Sequence, residues 1–375
     1  MGEARLSAQE PTAAASAASA AGMRSDFLSI QYLRGLAAVG VLLFHASQRA
    51  GLAFGVGAAG VDVFFVISGF IMWTVSCRRA AGPGDFLMRR AGRIAPLYWV
   101  VTLVVVGLAV LRPSLFPNMR LTPGHVVQSL LFLPHRDPAG VVAPVIVPGW
   151  TLNYEAFFYV VFAATLLLPL KRRSIALSAA LGGMCLIGLF LPRGRWPAAD
   201  VYTDPLILEF AAGVWLAKAA AAGRLGRPPA ALAAIAAGIA ILVGAAVTEV
   251  DVNGWARLLF WGLPALLIVW GALSLEGCSQ MPKAAPLKAL GDASYSLYLS
   301  HGLALSLAFK ILDGRGLGGL AAVALSVPFA VVCGFACYRL VEQPLLTLFH
   351  GRPRRRADAA PRGIGWAFLR PKVQP

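Results

Sequence analysis

Ten apolar runs, each close to the roughly 20 residues a helix needs to cross a bilayer, constrain this chain more than any other feature. They fall at about 28–48, 56–77, 94–111, 150–170, 174–192, 203–221, 229–248, 256–275, 293–312 and 317–341. Of the 375 residues, 58% are hydrophobic and only 13% charged, whereas a soluble globular chain carries about 25% charge. The expected fold class is therefore all-α: a polytopic integral membrane protein with about ten transmembrane helices. No stretch is left for a large soluble catalytic domain, so any chemistry belongs to the membrane portion or its loops. The runs that fit worst are 203–221, which contains Glu209, and 293–312, which contains His301.

The net charge of +16 would point to nucleic acid in a soluble protein. Here the basic residues crowd into short links, such as Arg78–Arg93, Lys171–Arg173 and the stretch from Arg352 onward. That bias is the positive-inside signal of membrane topology. It puts both termini in the cytoplasm, makes no nucleic acid a partner, and names membrane lipids instead. Residues 1–25, rich in Ala and Ser, are expected to form a disordered N-terminal tail. Residues 26–346 form the membrane domain, with 112–149 as a long, proline-rich external loop. Residues 347–375 form a basic cytoplasmic tail suited to anionic lipid. Loops as long as 112–149 are usually functional. The five cysteines form no CxxC pair and no zinc pattern, so they are expected to be apolar packing residues, with no metal.

Several polar residues sit where lipid should exclude them. Arg34 and His45 share the first run, eleven positions apart, which returns them to nearly one helix face about 16 Å apart. With the topology above, His45 lies near the outer surface, together with Asp62 and Glu155. An imidazole with a carboxylate to fix its tautomer is the general-base arrangement of acyl transfer, which makes His45, Asp62 and Glu155 the catalytic candidates. The competing readings are that Arg34 snorkels, His45 is interfacial and Asp62 merely flanks a helix end. On the inner side, Arg90 and Arg93 lie three apart on one face. Arginine's planar fork suits phosphate, although such arginines also serve simply as inside anchors. His301, with Ser296, Tyr298 and Ser300 around it, is either a second catalytic group or a structural hydrogen-bonding residue. Arginines inside and an imidazole outside suit a phosphate-bearing acyl donor such as a coenzyme A thioester.

These residues fall in a recognisable series. Ser29-Ile-Gln-Tyr-Leu-Arg-Gly-Leu-Ala-Ala, His45, Gly60-Val-Asp-Val-Phe-Phe-Val-Ile-Ser-Gly-Phe, Arg90-x-x-Arg93-Ile-Ala-Pro-Leu-Tyr, Ser294-Tyr-Ser-Leu-Tyr-Leu-Ser-His301 and Val341-Glu-Gln-Pro together resemble the acyltransferase-3 family, and within it the exopolysaccharide-type acetyltransferases. The resemblance runs from about 27 to 346. It implies ten core helices in a bacterial inner membrane and transfer of an acyl group, usually acetyl from acetyl-CoA, to a hydroxyl of an envelope or exopolysaccharide glycan. It makes His45 the catalytic histidine and Arg34, Arg90 and Arg93 donor-binding or structural, with His301 and Tyr298 as substrate-binding or second catalytic groups. Many members carry two adjacent acids where this chain has Glu155-Ala, and a Trp-His pair where it has Ser300-His301. A fused extracytoplasmic hydrolase-like domain, present in some relatives, is not expected here. The partners implied are a glycan or lipid-linked saccharide acceptor and polysaccharide-assembly proteins.

Transfer would be direct, with His45 as base, or would pass through an acyl-histidine. The alternative from another class is a transporter or flippase for a lipid-linked sugar or small solute, since intramembrane His, Arg and Glu also mark transport pathways.

Overall fold

The computed structural model describes residues 27–78, 81–248, 250 and 252–350; the expected disordered tail 1–25 and the basic run Arg352–Arg356 lie outside the described residues. The chain is helical throughout: α1 Leu28–Arg49, α2 Gly60–Arg78, α3 Pro83–Leu111, α4 Pro123–Leu130, α5 Trp150–Thr165, α6 Leu170–Gly188 and α7 Pro197–Tyr202. These are followed by α8 Ile207–Ala221, α9 Pro228–Val247, α10 Gly254–Gly277, α11 Ala285–Asp292, α12 Ser294–Asp313 and α13, which runs from Gly319 through a π turn at Tyr338–Glu342 to His350. The described residues contain no strand, only one isolated bridge between Arg136 and Val142.

Each of the ten apolar runs falls on a helix. Six helical segments are long and apolar enough to cross a membrane, involving α1, α2, α3, α9, α10 and α13. Two of the others are shorter than a bilayer is thick. Helix α5 has 16 residues and α8 has 15, about 23 Å of helix against a hydrocarbon core of roughly 30 Å. Both are largely buried inside the bundle, where lipid thickness does not dictate length. Around them, α3 exposes Leu103, Val104 and Val110, α9 exposes Leu232, Ile239 and Val243, and α13 exposes Leu320, Leu325 and Val332. An apolar outer surface of this kind is stable only against lipid, and the protein is a membrane protein.

Helix α1 is the hub, packed against α2, α10, α11, α12 and α13. The residue before it, Phe27, supplies no capping side chain. The orphan donors are met instead by Glu276 of α10, which accepts from Leu28 N (2.8 Å), Ser29 N (3.0 Å) and Ser29 Oγ (2.5 Å). A carboxylate at a helix N-terminus also complements the helix dipole. Replacing Glu276 with alanine should cost about 3 kcal/mol, because three buried donors lose a charged acceptor. Glu276→Gln keeps one strong acceptor and should cost less. Thermal unfolding in detergent checks this; a Glu276→Ala protein that melts with the wild type would contradict it.

The interior is organised by aromatic stacking. Phe65 of α2 lies 4.6 Å from Phe210 of α8, which lies 4.3 Å from Phe158 of α5. Phe162 continues the row to Phe86 of α3 at 5.2 Å. Glycines let α2 and α8 approach this closely: a Cβ on Gly69 would fall 2.0 Å from the Phe210 carbonyl oxygen, and one on Gly213 would fall 2.0 Å from that of Val66. Reciprocal small residues of this kind are the usual way membrane helices bring backbones together.

Candidate active site

The first and third helices bring the three sequence-marked arginines together. Arg34 of α1 and Arg90 and Arg93 of α3 line one cavity of about 150 Å³, along with Ser68, Glu155 and Tyr159. Arg93 is neutralised: its Nη1 lies 2.6 Å from Glu342 Oε1, while Ser296 Oγ donates to Oε2 at 2.5 Å. Glu342 is 1% exposed and sits at the end of the π turn of α13, a deviation common at functional sites. The Arg93 guanidinium also lies 5.3 Å from the Tyr295 ring centre. The side chains of Arg34 and Arg90 make no hydrogen bond among the described residues, and Arg90 Nε is buried without one. With Glu342 committed to Arg93, the cavity holds an excess of positive charge with forks free to bind an anion.

Glu155 belongs to this cavity rather than to His45. It accepts from Ser68 Oγ at 3.2 Å and closely from the Tyr159 hydroxyl. Its expected place beside His45 therefore has to be corrected, because α5 turns the carboxylate toward Ser68 and the arginines. Asp62 is not at the imidazole either. It is 0% exposed and takes a two-pronged bond from Arg257 of α10, with Nε to Oδ1 at 3.1 Å and Nη2 to Oδ2 at 2.9 Å. Arg257 is held over Trp261 at 4.8 Å and Trp150 at 5.6 Å. The grouping of His45 with Asp62 and Glu155 is thus absent: no hydrogen bond joins either acid to His45 among the described residues.

His45 instead stacks on His301 of α12, with ring centroids 5.1 Å apart and planes at 23°. His301 is 2% exposed, and its Nδ1 lies 2.6 Å from the Tyr298 carbonyl oxygen. A carbonyl only accepts, so Nδ1 carries the proton and Nε2 keeps its lone pair. The Tyr298 ring lies 5.9 Å from that of His301. Its hydroxyl pairs with Thr151 Oγ1 at 3.0 Å, and both residues line the arginine cavity. Tyr298 thus stands between the two groups: it lines the arginine cavity on one side and lies against His301, and through it His45, on the other. Arg49 Nη1, donating to Ser306 Oγ at 3.0 Å, lies beyond the pair on the same helix as His45.

The long 112–149 connection is folded against this end. Tyr98 and Trp99 of α3 donate to the Ser129 and Leu130 carbonyls at 3.0 and 2.8 Å. Within it, His125 Nδ1 and His135 Nε2 are 2.8 Å apart, while His135 Nδ1 faces the Leu133 carbonyl at 2.7 Å. The second contact puts a proton on His135 Nδ1, and in that neutral tautomer its Nε2 accepts from His125. Burial, and then the neighbouring His135, push the His125 imidazole below its ordinary value. The native pair's stabilisation is therefore complete above about pH 6.5, the unfolded value, and is lost as pH falls through the lower folded one. Hydrogen exchange over 123–135, corrected for intrinsic rate, should accelerate on acidification in the wild type and lose most of that dependence in His135→Gln. Exchange independent of pH in the wild type would contradict the pairing.

Four functional or structural partners escape a reading of the sequence alone: Arg257, Glu342, Glu276 and the buried Glu209, whose carboxyl lies beside that of Asp62. By position, Arg257 reads as an outer-loop residue and Glu209 as an argument against a span. Glu342 stands in plain view within Val341-Glu-Gln-Pro; an acid in an otherwise apolar run is the signal available.

Comparison with known proteins gives this geometry a family. The model of the acyltransferase domain (acyltransferase family 3) matches residues 27–339. The exopolysaccharide production protein ExoZ of Rhizobium meliloti (strain 1021) is 42% identical over 334 residues, covering 84% of this chain and 96% of that protein. The acyltransferase MdmB of Streptomyces mycarofaciens is 26% identical, covering 88% of this chain and 94% of its own. The peptidoglycan O-acetyltransferase OatA of Listeria monocytogenes is also 26% identical, covering 84% of this chain and 55% of its own length. No solved structure matches. The match decides between enzyme and transporter in favour of the enzyme, and the chain belongs to the acyltransferase-3 family of membrane acyltransferases.

Proposed function

We propose that this protein is a multi-pass inner-membrane O-acetyltransferase that moves an acetyl group from acetyl-CoA to a hydroxyl of an exopolysaccharide or other envelope glycan. The observation that carries this is the cavity with the free forks of Arg34 and Arg90, whose wall residue Tyr298 packs against the His301–His45 pair. The relative named for exopolysaccharide production, at 42% identity, supports the glycan.

The donor fits the residues present. Arg90 Nε is buried and orphaned, and such groups rarely persist without a partner; a phosphate of coenzyme A would supply one. Arg34 and Arg90 would hold the phosphates from the cytoplasmic side, and the thioester would supply an acyl group on a good leaving group. Arg93 and Glu342 keep the cavity wall in place. His45 then takes the proton from a sugar hydroxyl as that oxygen attacks the thioester carbonyl, in the role of a general base. His301, its proton fixed on Nδ1 by the Tyr298 carbonyl, holds the His45 ring in register by stacking. Thr151 donates to the Pro148 carbonyl and accepts from the Tyr298 hydroxyl, which fixes the Tyr298 ring between the arginine cavity and His301.

Arg90→Ala should raise the KM for acetyl-CoA about tenfold or more, the worth of a charge-assisted contact, with a smaller change in kcat. Arg90→Lys should recover part of it. In cells, deletion of the gene should remove ester-linked acetyl from the surface polysaccharide by mass spectrometry. Restoration should follow wild-type complementation and fail with His45→Ala. Unchanged acetylation after deletion would count against the reading.

A further inference from the structure

A second cavity, of about 340 Å³, lies on the far face of α5, lined by Trp150, Asn153, Tyr154, Arg193, Asp200 and Asp204. Its volume is at the lower end of the roughly 300–1,000 Å³ of small-ligand sites. Helix periodicity divides α5 cleanly: positions 150, 153 and 154 face this cavity, while 151, 152, 155 and 159 face the arginine cavity. One helix is thus the common wall of two chambers.

We propose that this second cavity is an acceptor subsite that holds a neutral sugar ring next to the one being acylated. The inference rests on the reading of the protein as a glycan acyltransferase, and it concerns where the acceptor is held. Asn153 is 4% exposed, yet its Oδ1 is buried with no hydrogen-bond partner among the described residues. Neither the Tyr154 hydroxyl nor the Trp150 indole N–H makes a hydrogen bond among the described residues. An unpaired amide and two unpaired aromatic polar tips around one cavity suit a ligand that is apolar on its faces and hydroxylated at its edges.

The rim is built rather than loose. Asp200 accepts from Gly194 N at 3.0 Å, and Arg193 Nη1 donates to the Asp200 carbonyl at 3.1 Å. Asp204 Oδ1 accepts from Leu206 N at 2.9 Å, and each carboxylate has further lone pairs for sugar hydroxyls. Arg136 donates to the Gly194 carbonyl, which fastens this rim to the long 112–149 connection. Two acids against one arginine select a neutral or amino sugar over a uronic acid or a sugar phosphate. Thr151, the neighbour of Trp150, bonds Tyr298 on the opposite face of the same turn, so a ring in this cavity lies across α5 from the arginine cavity without filling it.

The test uses full-length protein in nanodiscs without acetyl-CoA, titrated calorimetrically with oligosaccharides cut from the source organism's own surface polysaccharide after mild alkaline removal of esters. Wild type should bind. Asn153→Leu, which conserves volume, and Asp200→Asn, which keeps the acceptor for Gly194 N–H, should each weaken binding about tenfold while melting with the wild type. Unchanged affinity in both variants, or no binding by wild type, overturns the subsite whatever the transfer assay shows. Binding that the two variants weaken, in a protein that never transfers acetyl, keeps the subsite and overturns the proposed reaction.

Discussion

His45→Ala is expected to lower acetyl transfer by about 10²–10⁴-fold, the usual contribution of a positioned general base, with no loss of thermal stability. The side chain is half-buried and makes its ring contacts with His301 and with Phe44 at 4.8 Å, so its removal orphans no buried charge. His301→Ala should cost less in rate and more in stability, because that ring is fully buried on the Tyr298 carbonyl. His301→Gln, which can still donate to the carbonyl, should recover stability and little else. A transfer rate of His45→Ala equal to wild type would remove the histidine from the chemistry. Equal rate losses in the two alanine variants would instead make the stacked pair act as one unit.

Asp62→Ala should behave in the opposite way, losing about 3–5 kcal/mol of stability and little rate per folded molecule. The reason is Arg257, whose guanidinium is mostly buried between Trp150 and Trp261 and is neutralised by Asp62. Removing the acid takes away both hydrogen bonds to the Arg257 fork and leaves only the neighbouring Glu209 to balance its charge. Arg257→Met in the same background should restore part of the loss, since replacing both members of a buried pair by apolar groups is far milder than breaking it. Thermal unfolding of the single and double variants, with activity normalised to folded protein, checks both halves. Full stability with a rate loss of a hundredfold would return Asp62 to the catalytic role its depth first suggested.

That first suggestion shows how far the sequence reaches. The apolar runs locate every long helix, because the roughly twenty apolar residues of a span leave a strong one-dimensional signal. Arg34, Arg90 and Arg93 are expected on the inner side and do share a cavity. His301 with Tyr298 is left open between two roles, and the structure stacks His301 on His45 with Tyr298 against the far side of the pair. Depth, however, is one coordinate of three. It places Asp62 and Glu155 level with His45 but carries no information about which way round the bundle each helix turns its face. Asp62 finds Arg257, 195 residues away, and Arg93 finds Glu342, 249 residues away; such pairings follow from helix order around the bundle, which periodicity does not encode. Four apolar runs fall outside the six helical segments long and apolar enough to span, two of them, on α5 and α8, because their helices have only 16 and 15 residues. Three of them, on α5, α8 and α12, carry the polar residues Glu155, Glu209 and His301 that line or neighbour the interior.

The central claim is tested most directly with purified protein in nanodiscs, acetyl-CoA carrying a labelled acetyl group, and the alkali-deacylated surface polysaccharide of the source organism. The account predicts free coenzyme A released in step with label appearing on the polysaccharide as an alkali-labile ester, and neither product with His45→Ala. Polysaccharide that stays unlabelled while the wild-type protein consumes acetyl-CoA, or label transfer that survives in His45→Ala, would contradict it.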